Sequence, residues 1–256
     1  MTVRTGQPVR RRAIPGVPRM TRRRFLETAL TASVGGAALT IPLSSPSRAA
    51  AADNVLRWGQ SEADLGTADP HYAAATQDRA LADMIFNGLL RFKPGDGSAF
   101  EPDLALDFPK PVVIAGKQVW TFKLRKGVMW QPSDKVPAYE LTSEDVVYSL
   151  QKSADKARSA YSALYTGMTF HALDPYTVSI TVDAAVSPNL FYPLVTNYAG
   201  GFIVSKRAVE AYGIDGVKTR PVGTGPFMLR RYSPKEKVEL APHPTYFRGR
   251  PKLDGI

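Results

Sequence analysis

Trp120-Thr121-Phe122-Lys123-Leu124-Arg125-Lys126-Gly127-Val128 places a large apolar side chain at every second position and then breaks into a basic turn. Alternation with that period marks a strand with one buried face, carried by Trp120, Phe122 and Leu124, and Lys126-Gly127 supplies the turn. The next ordered stretch, Leu141-Thr142-Ser143-Glu144-Asp145-Val146-Val147-Tyr148-Ser149-Leu150, opens a helix. Thr142 caps the backbone, Asp145 answers three residues on, and Val146, Val147 and Leu150 share one side. A third stretch, Pro221-Val222-Gly223-Thr224-Gly225-Pro226-Phe227, is a double-glycine turn entering the strand Phe227-Met228-Leu229. Gly223 and Gly225 are expected there to take backbone angles that a side chain would forbid.

Working outward, residues 55–59 read as a short strand followed by a loop over 61–71. Residues 80–90 read as a helix with Leu81, Met84, Ile85 and Leu89 on one face. Residues 92–100 carry hairpin chemistry in Lys93-Pro94-Gly95-Asp96-Gly97-Ser98. A strand over 177–183 alternates Val178, Ile180 and Val182, a helical turn covers 191–195, and a helix over 205–212 stops at Gly213. Two closing strands, 225–232 and 237–241, flank the polar turn Ser233-Pro234-Lys235-Glu236. Short strands mixed with a few helices, without a repeat or a βαβ rhythm, predict an α+β fold.

The 256 residues carry 33 Lys and Arg against 23 Asp and Glu, a net charge of +10 that invites a nucleic-acid reading. Residues 1–52 hold nine of the basic residues and one acid, leaving 24 basic and 22 acidic residues in 53–256. The basicity belongs to the leader, and the chain is expected to bind no nucleic acid. That leader has an Arg-rich start, an uncharged run over 28–46, and the small-residue exit Ala49-Ala50-Ala51-Ala52, the layout of a cleavable export signal. Its apolar run falls short of the ~20 residues that a spanning helix needs. Within it, Thr21-Arg22-Arg23-Arg24-Phe25-Leu26-Glu27 resembles the twin-arginine consensus, with Glu27 where that pattern has a basic residue. Arg22 and Arg23 are therefore expected to engage export machinery, and Met20 offers an alternative start. With no cysteine in the chain, disulfides and thiolate metal sites are excluded, and no lipid anchor is expected. The expectation is two segments, an export signal over 1–52 and a soluble periplasmic domain over 53–256.

The three stretches quoted first resemble the solute-binding proteins of peptide-type ABC importers, family 5. Further landmarks follow in order: Ala68-Asp69-Pro70, Asn87-Gly88-Leu89-Leu90, and Tyr246-Phe247-Arg248-Gly249-Arg250-Pro251-Lys252-Leu253-Asp254. The resemblance implies lobe I of a two-lobed periplasmic binding protein of type II, cluster C-like, reaching near the place where the family's chain first crosses its hinge, without lobe II. It further implies capture of a peptide or related small solute and delivery to membrane permease subunits, with no enzymatic activity and no cofactor. In that family the loop corresponding to Ser61-Glu62-Ala63-Asp64 edges the ligand cleft, and Glu62 is the residue placed to hold a peptide's amino terminus; a solvated acid beside a turn is the competing reading. Tyr161 matches a position where an aromatic faces the ligand, against core packing as the alternative. Two other outcomes stay open: a fragment that binds nothing tightly, since good sites bury 70–90% of a ligand, and a periplasmic hydrolase.

The residues themselves offer little chemistry. His71, His171 and His243 are scattered, without a ligating partner at helical spacing, and read as loop or surface residues. No Gly-x-Ser-x-Gly elbow is present, and Gly223-Thr224-Gly225 is too short to cradle phosphate. Glu144-Asp145 sits in the first turn of a helix, where acids complement the dipole, so no catalytic or metal-binding residue is expected. Tyr198-Ala199-Gly200-Gly201 reads either as a close approach for a ligand or as an ordinary turn.

Overall fold

The computed structural model describes residues 54–59 and 65–256. The export segment, with Arg22 and Arg23, and the stretch Ser61 to Asp64 lie outside the described residues. In chain order the elements are α1 (Thr76–Ile85), β1 (Leu90–Lys93), β2 (Asp96–Pro102), β3 (Val112–Ile114), β4 (Lys117–Lys123), α2 (Ser143–Ala154), β5 (Met168–Asp174), β6 (Thr177–Val182), α3 (Pro188–Phe191), α4 (Lys206–Gly216), β7 (Phe227–Ser233) and β8 (Lys237–Pro242). The strands form three antiparallel sheets, β1-β2, β3-β4-β6-β5 and β7-β8, an α+β arrangement. Among the described residues no helix is long and apolar enough to cross a membrane.

The alternation read around Trp120 decides the larger core. Trp120 pairs with Ile180 and Phe122 with Val178 across β4 and β6, and all four are buried. Phe191 from α3 stacks on Trp120 at a centroid distance of 4.1 Å. Helix α2 covers the same face with Val146 and Leu150. Its N-terminus is the expected capping box: the Thr142 N–H donates to the Asp145 carboxylate at 3.2 Å. Asp145 also accepts from Trp130 Nε1 (3.3 Å) and Tyr139 (3.0 Å), which employs this acid in structure and leaves Glu144 exposed.

Several elements differ from the sequence reading. The first helix runs Thr76–Ile85, about one turn earlier than expected, because Asn87 and Gly88 leave the helix to bridge the chain at Phe202. Leu89 and Leu90 are buried by that extended path and so mimicked another helical turn. The strand expected at 55–59 reduces to one parallel bridge, Val55 with Gly255, plus the bond from Leu56 N–H to the Gly255 carbonyl (3.1 Å). The sequence reading passed over strand β5, which follows the 3₁₀ turn Ser162–Tyr165. Helix α4 continues past Gly213, which breaks it with φ 75°. His71 and His243 are buried, not at the surface; His243 Nδ1 lies 3.0 Å from the Gly225 carbonyl. His171 is exposed on β5 as expected.

The double-glycine turn is present as expected, but for a different physical reason. Neither Gly223 nor Gly225 has a positive φ. Both lie against the C-terminal end of α1: a Cβ on Gly223 would sit 1.8 Å from the Ile85 carbonyl oxygen, and one on Gly225 at 2.6 Å. The approach lets Gly225 N–H donate to Ile85 O (2.8 Å). Gln131 fastens the turn from the other side, donating from Nε2 to Phe227 O (2.7 Å) and accepting the Gly223 N–H (3.2 Å). Alanine at position 223 meets rigid backbone, so Gly223→Ala is expected to lower unfolding free energy by more than ~4 kcal/mol. Gly97→Ala, where a Cβ meets nothing within 4 Å, serves as the near-neutral control in the same urea titration.

Candidate ligand-binding site

The segment Asp69-Pro70-His71 is anchored from below by an ion pair with almost no solvent exposure. Lys152, in the last turn of α2, donates to both Asp69 oxygens at 3.0 and 2.8 Å, the two side chains being 0% and 1% exposed. Two buried charges survive only if paired and hydrogen-bonded. Asp69 therefore also takes the His71 N–H (3.0 Å), and the Lys152 ammonium also reaches Arg158 O (3.2 Å). Burial pulls Lys152 below the ordinary lysine range, with the Asp69 carboxylate opposing the shift.

His71 completes the cluster. Its Nδ1 lies 3.2 Å from the Lys152 ammonium, a donor with no lone pair, so Nδ1 accepts and Nε2 donates to Phe202 O at 2.8 Å. The ring is held neutral, its pKa pushed down to about 3 by burial and then by the Lys152 charge. Ser153 donates to Gly200 O at 2.6 Å, tying α2 to the 3₁₀ turn Ala199–Gly201. The glycines of that turn serve packing: a Cβ on Gly200 would meet the Tyr165 ring at 2.8 Å, and one on Gly201 would meet Thr196 O at 2.4 Å.

On this base stands a polar and aromatic cluster. The His71 carbonyl accepts the Ala160 N–H (2.9 Å), and Ser159 Oγ accepts the Tyr161 N–H (3.0 Å), which aims the Tyr161 ring toward Ala73. The Tyr161 hydroxyl donates to the Ala73 carbonyl. Arg79, in the first turn of α1, donates from Nε to the same carbonyl (3.3 Å) and from Nη1 to the Tyr198 hydroxyl (2.9 Å). Its guanidinium lies 5.1 Å from the centre of the Tyr198 ring. Tyr161 is half-buried and rests on the main core, while Tyr198 is 43% exposed. Tyr161 is thus the one expected site residue that the structure places, beside Arg79 and Tyr198. Arg79 was missed: it lies 119 residues from Tyr198, and no local pattern announces that partner. Among the described residues no group of three or more His, Asp or Glu could hold a metal ion.

A profile described as bacterial extracellular solute-binding proteins, family 5 Middle, matches residues 99–256. The chain belongs to this family. Di/tripeptide-binding protein 2 of Pseudomonas aeruginosa is 28% identical over 210 residues, 73% of this chain and 38% of the relative. Among solved structures, the binding protein MoaA of A. tumefaciens R10 in complex with mannopinic acid is 42% identical, with a TM-score of 0.68, over 75% of this chain and 38% of that one. The ABC transporter-associated periplasmic binding protein DppA of Helicobacter pylori, in complex with the peptide STSA, is 26% identical with a TM-score of 0.64, over 75% and 40%. The chain spans about two-fifths of the length of the relatives it matches. The α+β architecture is part of the N-terminal lobe of a two-lobed periplasmic binding protein.

Removing one partner of the buried pair strands the other, so Lys152→Met is expected to cost about 3–5 kcal/mol in urea denaturation. His71 stays neutral when folded but takes a proton near 6.5 when unfolded, so acid favours the unfolded chain. Stability present above pH 6.5 is expected to fall toward pH 3 by up to about 1.4 kcal/mol per pH unit from this group. The native His71 ring resonances should stay unmoved from pH 7.5 to 4.5; a titration midpoint within that window contradicts the assignment.

Proposed function

We propose that the chain is the solute-capturing component of an ABC importer, taking a peptide or a related small solute in the periplasm and presenting it to membrane permease subunits. The observation that carries this reading is family membership over residues 99–256, joined to an aromatic and cationic cluster on a rigid, charge-anchored base. In this reading Tyr161 faces the solute, Ser61, Glu62, Ala63 and Asp64 edge the cleft, and Glu62 takes an amino group. Residues 1–52 direct export through Arg22 and Arg23 and are removed, and residues 53–256 form the lobe I part of a soluble, non-lipidated receptor. Closure of two lobes signals occupancy, and no group in the cluster acts as a catalyst.

Two chemistries are supported. MoaA is solved with mannopinic acid, at the higher identity, and DppA with the peptide STSA. Both favour a polar solute recognised by hydrogen bonds, with tolerance for what lies beyond them. The test is a thermal-shift scan of the purified chain against mannopinic acid and pooled di- to pentapeptides. A bound solute raises the midpoint by mass action, worth about 2.7 kcal/mol at 100 times Kd. Tyr161→Ala is expected to reduce that shift at fixed solute concentration, and a flat midpoint with every solute rejects the reading.

A further inference from the structure

We propose that Arg79 is a preformed carboxylate clamp, and that the solutes captured at the Tyr161 face carry a free carboxylate delivered to its guanidinium. The inference rests on the solute-capture reading above and narrows its substrate class.

Arg79 is a positioned cation without a carboxylate partner among the described residues. The helix offers two acids beside it, and both are engaged elsewhere. Asp78 takes the Gly66 N–H at 2.9 Å, and Asp83, at i+4 from Arg79 where an ion pair on the helix surface would form, accepts from Asn197. The guanidinium instead rests on neutral oxygens, the Ala73 carbonyl and the Tyr198 hydroxyl, with Tyr161 alongside. An arginine carries five N–H donors in a planar fork. The two bonds to Ala73 and Tyr198 leave three N–H groups over, enough for the two that one carboxylate takes in a bidentate pair.

The fork is also stiffened in advance. The Tyr198 ring lies 5.1 Å from its central carbon, and Tyr198 itself is fixed edge-on against Phe92 at 6.3 Å. The Ala73 carbonyl that holds Nε lies two residues beyond His71, whose backbone the Asp69–Lys152 pair secures. A cation whose rotamer is set before binding loses little freedom when an anion arrives, which is where an arginine outperforms a lysine.

The experiment uses the full chain and three probes: mannopinic acid, tri-alanine and tri-alanine C-terminal amide, titrated by calorimetry. Arg79→Gln is expected to weaken the two acids about 10- to 100-fold, the loss of a charge-assisted pair, and to erase the preference for tri-alanine over its amide. Arg79→Lys should recover only part of it, and thermal midpoints confirm that both variants fold. In parallel, the Arg79 ¹⁵Nε–H resonance, assigned by its loss in Arg79→Gln, is followed against glutarate. Acids that bind equally well to wild type and Arg79→Gln overturn the clamp and leave solute capture standing. A glutarate-induced shift of the Arg79 resonance without binding of any of the three probes upholds the clamp and overturns the solute reading; silence in both measurements overturns both.

Discussion

The Asp69–Lys152 pair is the constraint around which the candidate site is organised. A lysine and an aspartate withdrawn from water are costly to place, and their attraction offsets that cost only when every remaining donor and acceptor is matched. The matching is what shapes the surroundings. Asp69 turns the chain back through His71, Lys152 draws in the Arg158 carbonyl, and His71 and Ser153 reach the strip from Gly200 to Phe202. Three segments remote in sequence are thereby held in one geometry, and Tyr161, Tyr198 and Arg79 inherit their positions from it. Replacing the pair by apolar groups would remove a stability liability and the directional bonds together.

Much of the scaffold was legible because it depends on local rules. The period of two in β4 and β6 and the Thr142–Asp145 cap follow from spacing and side-chain chemistry alone. Where the reading strayed, tertiary contacts had overridden a local pattern. Leu89 and Leu90 continue a helical periodicity but are buried in extended backbone, because Asn87 hands its carbonyl to Ile203 N–H at 2.8 Å. Gly223 and Gly225 looked like residues needing unusual angles, yet it is the absence of a side chain against Ile85 that matters.

The site was less legible than the scaffold. Tyr161 was singled out through family resemblance, and the structure sets it half-buried against the main core beside Arg79. Arg79 was invisible because its meaning depends on what it does not touch: its acidic neighbours are engaged by Gly66 and Asn197, facts of three dimensions. His71 was misjudged for a related reason. A histidine after a turn proline usually faces water, but here the turn folds inward over a buried ammonium.

The bridge between Val55 and Gly255 bears on synthesis. These residues are separated by nearly the whole described chain, and Leu56 donates to Gly255 as well. At roughly 5–20 residues per second, the start of the domain waits about 10–40 s on the ribosome before its partner strand emerges. The β4–β6 core can close well before that. The nascent protein therefore passes through a stage with a formed central sheet and a loose leading edge, during which its first residues remain accessible to whatever captures them in the cell.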